Sequence, residues 1–379
     1  MKILIVNHST VGHNKEYTKK ICEYLIEKGN DVTLLKSDKL EVELNDLKNV
    51  SLSDEKYDAK HKILYCIKIR KFYKKMYELN KKNNYNVIHH LYLDTQHISI
   101  LLSLRYIKKI QNAKLFGTIH WSSNFVGDSY KKNRFKNFFI NRFEKYFSIF
   151  FVHGDRCKKD MISKSKISNK KINTIPYGTE MYKYIDKLEC RKKFNIDSNE
   201  KVFLFFAGLT SYKGFDILLQ ALKNIDDKIT LFIAGMPYDY MDILSDISID
   251  NIKFIKILRY INNEELQDIF GASDFLLLPY KKIVSGQSGP LTIGATYGVP
   301  IIGSDVGEIG STIEKYNLGY VVKSEDADDL AEKINSACIV DNFKYNEFVR
   351  NCEKYTYLNS WEVMCEKIFD CYKKVVNTI

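Results

Sequence analysis

No run of apolar residues in this sequence approaches the ~18 that a helix needs to cross a bilayer. The longest candidate, Phe147 to Val152, has the length of a buried strand. The opening Met1-Lys-Ile-Leu-Ile-Val6 lacks the basic, apolar, small-residue order of a signal peptide and reads as a first β-strand. Neither secretion nor membrane spanning is expected, and the expected location is cytoplasmic. The eight cysteines form no Cys-x-x-Cys pair and no Cys/His block with zinc spacing, so reduced thiols are expected. Also missing are a GxxxxGK(S/T) phosphate loop, a GxGxxG fingerprint, a GxSxG elbow, an HExxH motif and any repeat of 20 to 50 residues.

The 379 residues suit two domains of about 190 each better than one. A composition 45% hydrophobic and 28% charged is that of a folded globular chain. The formal net charge of +11 hides an asymmetry. Residues 1–185 hold 36 Lys/Arg against 18 Asp/Glu, whereas residues 186–379 hold 22 against 29. All eight histidines also lie in the first half. Two domains with different partners are expected.

Ile3 to Val6 reads as a strand, Val11-Gly12-His13 as a turn, Lys15 to Glu27 as an amphipathic helix and Asp31 to Leu35 as a strand. This is a βαβ unit with a parallel pair. Further strands are expected at 86–93, 115–120, 150–152 and 172–175, with residues 38–85 helical and basic. The rhythm restarts at Ser198, with strands at 202–207, 229–234, 252–258, 274–278, 299–303 and 319–322. Helices are expected at 213–222, 263–270, 289–297 and 328–334. Short continuous apolar strands between helices predict buried parallel sheets. The expected architecture is α/β, two doubly wound domains joined near residues 185–198, with ligands in a cleft at the carboxyl ends of the strands.

The strongest local signal is Ser285-Gly-Gln-Ser-Gly-Pro-Leu291, a Gly/Ser-rich turn between a strand and a helix. Pro290 suits the start of the helix, whose free N–H groups and dipole make an anion site, and glycines admit a diphosphate closely. Lys213, in Ala207-Gly-Leu-Thr-Ser-Tyr-Lys-Gly214, stands at another strand-to-helix turn, where an ammonium can neutralise a leaving phosphate. His120, the pair His89-His90 with Asp94, and Gly12-His13 close strands in the first half. Asp326-Ala-Asp328 is expected to start a helix rather than bind metal. The stretches Lys60–Lys82 and Lys131–Phe147 are basic and aromatic; Phe135, Phe138, Phe139, Phe143 and Phe147 can share a helical stripe, more often core than a membrane foot. The positive first half favours an anionic surface or acidic acceptor, and without a nucleic-acid-binding motif no nucleic acid is expected.

Taken in order, these segments resemble the family 4 glycosyltransferases, retaining enzymes with the GT-B fold of two Rossmann-like domains facing across a cleft. The resemblance runs through Met1–Val6 with Gly12, Thr118-Ile-His120, Ile175-Pro-Tyr-Gly178 and Ala207–Asp216. It continues in Asn263–Leu266, Ala272-Ser-Asp274, Gly298-Val-Pro300, Ser304–Gly307 and Leu358–Glu362 with Tyr372. It implies an acceptor domain at 1–185, a donor domain at 186–355 and a helix at 356–379 returning to the first domain. It also implies transfer from a UDP- or GDP-linked sugar, without metal or other cofactor, to a saccharide or lipid-linked acceptor in cell-surface polysaccharide synthesis. The protein would then sit peripherally at the inner face of the plasma membrane. His120 and Lys213 would be catalytic; Gly12, Thr210, Lys213, Arg259, Tyr260, Ser285, Ser288 and Gly289 would hold the donor. The family's glutamate pair would fall at Ser285 and Ile293 and its donor-loop arginine near Thr210, so both are replaced, as in a subset lacking the glutamates. A non-catalytic GT-B subunit supporting an active partner, and a nucleotide-sugar epimerase, are the alternatives.

Overall fold

The computed structural model describes residues 1–9, 14–52, 62–127 and 134–377. Contacts divide it into two units, Met1–Gly178 with Trp361–Ile379, and Thr179–Ser360. In the first unit seven strands form an all-parallel sheet: β1 (Lys2–Asn7), β2 (Asp31–Ser37), β3 (Lys48–Leu52), β4 (Val87–His90), β5 (Lys114–Ile119), β6 (Phe147–His153) and β7 (Ile172–Ile175). Their order is 3-2-1-4-5-6-7, so the direction of winding reverses between β1 and β4, in register Ile3 with Val87. Its helices are α1 (Asn14–Glu27), α2 (Lys62–Asn83), α3 (His97–Ile107), α4 (Ser122–Val126), α5 (Arg134–Phe143) and α6 (Asp155–Lys164).

Both faces of this sheet are covered, which is why its central strands are apolar without alternation. Ile69, Phe72, Tyr73 and Met76 of α2, Ile100 and Ile107 of α3, and Phe139 and Phe143 of α5 pack in one core. Tyr17, Ile21 and Leu25 of α1 pack in another with Ile3, Ile5, Val87 and Phe116. The expected aromatic stripe is therefore divided. Phe139 and Phe143 are buried, Phe138 is exposed, and Phe147 begins β6; the side chain of Phe135 lies outside the described residues. One strand departs from the expectation of helix throughout 38–85. β3 pairs with β2 at the sheet edge, Thr33 opposite Lys48, with only Val50 and Leu52 turned toward the core. An edge strand with a polar outer face carries too few apolar residues to declare itself.

In the second unit β8 (Lys201–Phe206), β9 (Ile229–Ala234), β10 (Ile252–Ile257), β11 (Phe275–Leu278), β12 (Ile301–Ser304) and β13 (Gly319–Val322) form a second all-parallel sheet. The order is 10-9-8-11-12-13, reversing between β8 and β11. Its helices are α7 (Lys187–Lys193), α8 (Phe215–Ala221), α9 (Met241–Asp246), α10 (Asn263–Ala272), α11 (Gly289–Thr296), α12 (Gly307–Tyr316), α13 (Ala327–Cys338) and α14 (Asn342–Leu358). Local signals set the ends. Asn262 and Glu265 form a capping box on α10, and Asp326 caps α13 through the Asp329 N–H. Buried charge also ties this unit together. Asp274, just before β11, accepts from Lys187 Nζ at 2.9 Å, Arg191 at 2.8 Å and the Val202 N–H at 2.8 Å.

A last helix, α15 (Trp361–Val376), returns to the first unit and packs Met364, Ile368 and Tyr372 beside α1. Its Tyr372 hydroxyl meets His89 Nδ1, while His89 Nε2 meets Thr118 Oγ1 at 2.8 Å, so this histidine is structural. Gly178, where the chain leaves the unit, has φ +82° and lies against the Trp361 ring; a Cβ there would stand 2.2 Å from it. The residues of exit and re-entry are packed on one another.

Candidate active site

In doubly wound sheets ligands collect at the carboxyl ends of the strands where winding reverses. In the second unit that point lies between β8 and β11. Thr210 and Lys213 follow β8; Ser285, Ser288 and Gly289 follow β11. The loop after β8 is held by its neighbour: Leu209 N–H donates to Met236 O at 2.8 Å, and Ser211 N–H to the Asp239 carboxylate at 2.7 Å. Thr210 O accepts from the Lys213 N–H at 2.9 Å, closing a 3-10 turn. Gly214 then adopts φ +74°, and a Cβ there would lie 1.8 Å from Pro279 O. Only glycine permits this approach, which presses the two loops together.

The Lys213 ammonium sits 3.8 Å from the centroid of Tyr280 and 5.2 Å from that of Tyr212. It has no ion pair among the described residues, whereas nearby Lys281 is bound to Asp216 at 2.7 Å. The Tyr280 hydroxyl is 3.3 Å from Ser288 Oγ, which caps α11 by accepting from the Leu291 N–H. A cation held on a ring face thus stands beside a helix start whose first N–H groups have no partner within the helix. Gly286 O accepts from the Glu308 N–H at 3.1 Å, which holds the residue after Ser285 against the start of α12. Arg259 and Tyr260 follow β10 on the same edge of the sheet. Arg259 is engaged by both carboxylate oxygens of Glu265, and the Tyr260 side chain is 76% exposed. Tyr280 and Asp239 were not among the residues selected from sequence. Both stand just past strand ends, which was the available signal.

Gly289 gives a test of this arrangement. A Cβ built there meets nothing within 4 Å, so the protein's own packing does not require glycine. Gly289→Ala should leave the melting temperature unchanged or slightly raised, since alanine loses less backbone entropy. If a diphosphate closes on this backbone, the same change weakens donor binding about tenfold or more, read by calorimetric titration. Unaltered donor affinity would remove Gly289 from the site.

In the first unit, Gly12 lies outside the described residues. His120 follows β5, is buried, and its Nε2 donates to Leu91 O at 2.9 Å. Its backbone N–H donates to the Asp94 carboxylate at 3.0 Å. Tyr92 stacks on the imidazole at 5.7 Å, and Tyr17 and His153 pack at 5.1 and 4.9 Å. Burial lowers the His120 pKa to about 4, so the ring is neutral at physiological pH. Burial raises Asp94 to about 7, against the backbone N–H groups that pull it down.

Burial also lowers His8 and His89 to about 3 and His97 to about 4, and holds His90 well below its ordinary value. As pH falls through 6.5, the unfolded chain takes up protons at these rings that the folded unit refuses. Each histidine then removes roughly 1 to 1.5 kcal/mol of stability per pH unit down to its folded pKa. Asp94 works oppositely, its folded form binding a proton between about pH 4 and 7, but it is one group against several. The melting temperature should therefore fall steeply from pH 7 to pH 5, and a flat or rising profile would contradict these burials.

Residues 186–357 match the family described as Glycosyl transferases group 1. An uncharacterised 41.2 kDa protein in the cps region of Klebsiella pneumoniae is 26% identical over 282 residues, 73% of this chain and 75% of that one. An uncharacterised glycosyltransferase of Methanocaldococcus jannaschii, MJ1607, is 25% identical over 195 residues, covering about half of each chain (50% and 48%). Among solved structures, Anabaena HepE in complex with UDP-glucose shares the fold at a TM-score of 0.71 and 14% identity, over 99% of this chain and 100% of that one. The two all-parallel Rossmann-like sheets are those of the GT-B fold. With residues 186–357 matching a glycosyltransferase family, and a relative described as a glycosyltransferase aligning with half of its length, the chain is a glycosyltransferase.

Proposed function

We propose that the protein transfers a sugar, with retention of anomeric configuration, from a nucleoside-diphosphate sugar to a saccharide or lipid-linked acceptor in cell-surface polysaccharide synthesis. The observation that carries the donor reading is Lys213, an ammonium without an ion-pair partner among the described residues, beside the start of α11 at the reversal point of the second sheet. As the sugar–phosphate bond breaks, positive charge develops on the sugar and negative charge on the leaving diphosphate. Lys213 and the N–H groups at Ser288 and Gly289 stabilise that diphosphate, so this reading needs no metal. Tyr260 offers a ring to the nucleobase, with Arg259 held beside it by Glu265, while Thr210 and Ser285 present small polar side chains to the donor. His120, neutral and oriented by Leu91 and Asp94, hydrogen-bonds a sugar hydroxyl.

The cps-region relative supports the polysaccharide setting, and the UDP-glucose complex of HepE supports a uridine donor, with guanosine as the alternative base. The test is release of nucleoside diphosphate from a panel of UDP-, GDP- and ADP-sugars, with the product anomer read by NMR. Release from one donor with retained configuration is expected; inversion would contradict the retaining reading. Ser285 and Ile293, where the resemblance places glutamates, favour a second reading as a supporting subunit. That reading predicts no release from any donor.

A further inference from the structure

The first sheet has a reversal point of its own, between β1 and β4, with a polar cluster at its carboxyl edge. His8 follows β1, His90 ends β4, Tyr92 and Gln96 lie between β4 and α3, and Tyr65 and Tyr73 come from α2. These six side chains touch. His8 Nε2 is 3.1 Å from the Tyr65 hydroxyl, and Gln96 Nε2 is 3.0 Å from His8 Nδ1. The Tyr73 hydroxyl donates to Gln96 Oε1 at 2.7 Å. The His90 ring stacks on Tyr73 at 5.3 Å and stands 5.7 Å from His8, toward which Tyr92 turns its ring at 5.8 Å. Tyr92 also stacks on His120, which joins the cluster to the histidine assigned to a sugar hydroxyl.

Two features set this cluster apart from ordinary core. His90 is 2% exposed, yet both of its ring nitrogens lack a full hydrogen bond. Nearly all buried polar groups in folded proteins are bonded, so an orphaned imidazole on a ligand-binding edge calls for a polar partner from outside the chain. Tyr65 and Tyr92 are only half-buried and form the rim.

The second feature is charge. None of the six is a lysine or arginine, although residues 1–185 hold 36 of them. Lysines at the same edge are engaged elsewhere: Lys36 Nζ with Leu40 O at 2.6 Å, Lys15 with Glu41 at 3.1 Å and Lys136 with Asn124 O at 3.1 Å. Burial keeps His8 and His90 neutral at physiological pH. The ionisable neighbour is an acid: burial, and then the Asp94 carboxylate, raise the Tyr92 phenol.

We infer that this cluster receives the acceptor and selects an uncharged sugar, its ring against Tyr92 and Tyr65 and its hydroxyls bonded to neutral imidazole, amide and phenol groups. A pyranose has an apolar C–H face and a rim of hydroxyls, which aromatic rings with a few neutral donors and acceptors match. A uronate or a phosphate would lose its water here with no cation to pair it and with Asp94 nearby. The acidic acceptor that composition favours is therefore not the one this edge fits. The inference rests on the proposed transfer for calling the bound sugar an acceptor.

The test is binding to the full chain without donor, read by saturation-transfer NMR titration. Methyl glucoside, galactoside and mannoside are compared with methyl glucuronide and glucose 6-phosphate. At least one neutral glycoside should bind about tenfold or more tightly than either anion. Tyr92→Leu should lose that binding and Tyr65→Phe should weaken it, with unchanged melting to exclude unfolding. Tyr65→Phe keeps the ring and removes one hydroxyl, so it carries the test if the leucine variant does not fold. An anion that binds as tightly as the neutral glycosides, no binding by any of them, or neutral binding that both variants retain would overturn the inference. Diphosphate release without glycoside binding would defeat this inference alone, whereas glycoside binding without release would defeat the transfer reading alone.

Discussion

Lys213→Ala should lower turnover by about 10²- to 10³-fold while leaving the fold intact, because that is the range for removing one preorganised donor from a developing anion, ~2.7–4 kcal/mol. The side chain is half-buried with its ammonium on the Tyr280 ring, and the substitution forfeits only a cation–π contact of about 0.5–2 kcal/mol. The loop itself is kept by backbone bonds that alanine retains, from the Lys213 N–H to Thr210 O and from the Lys281 N–H to Tyr212 O at 3.0 Å. Nucleoside-diphosphate release and thermal melting on the same preparation separate the two effects. Near-normal release by the variant would show that another group carries the leaving charge. Lys213→Arg should recover part of the rate, since the charge returns while the fit on the Tyr280 ring changes.

Asp274→Ala should cost the second unit about 3–5 kcal/mol, the penalty for removing one partner from a buried ion pair. The Arg191 side chain is 4% exposed and that of Asp274 14%. Without the carboxylate, the guanidinium keeps only the carbonyls of Ala272, Asp197 and Ser198. Lys187 would retain Tyr345 at 2.7 Å, and the Val202 N–H at the start of β8 would lose its acceptor. Burial works against the Lys187 charge, while Tyr345 and Asp274 favour it and keep the ammonium protonated. At about 2–4 °C per kcal/mol, the melting transition of this unit should drop by roughly 6–20 °C in calorimetry. Asp274→Asn, which retains an acceptor, should fall between. A wild-type transition in the alanine variant would mean that the network contributes little.

Most of the architecture was legible because buried parallel strands appear in sequence as short apolar runs. Ile229–Ala234 and Ile172–Ile175 emerged with the limits they have in the structure. β3 did not, since an edge strand alternates and exposes half of its residues. The positions of Lys213, Ser288 and Gly289 were legible from strand, turn and helix start read in order. What surrounds them was not, because it depends on loops distant in sequence meeting at adjacent strand ends: Gly214 on Pro279, Ser211 on Asp239, Lys213 on Tyr280. Composition likewise gave the positive charge of the first half but not the side of the sheet where apolar tips break through it. That depends on which residues of α3 the core consumes, and Ile98 and Leu102 are left outside while Ile100 and Ile107 are taken.

The central claim is that the second unit binds a nucleoside-diphosphate sugar through Lys213 and the start of α11. Calorimetric titration of UDP, GDP and ADP into the wild type and into Lys213→Ala tests it without an acceptor or turnover. One diphosphate should bind the wild type, its monophosphate counterpart more weakly, and the variant should lose most of that difference. Binding that does not distinguish diphosphate from monophosphate, or that survives unchanged in the variant, would contradict the assignment of the diphosphate to this loop.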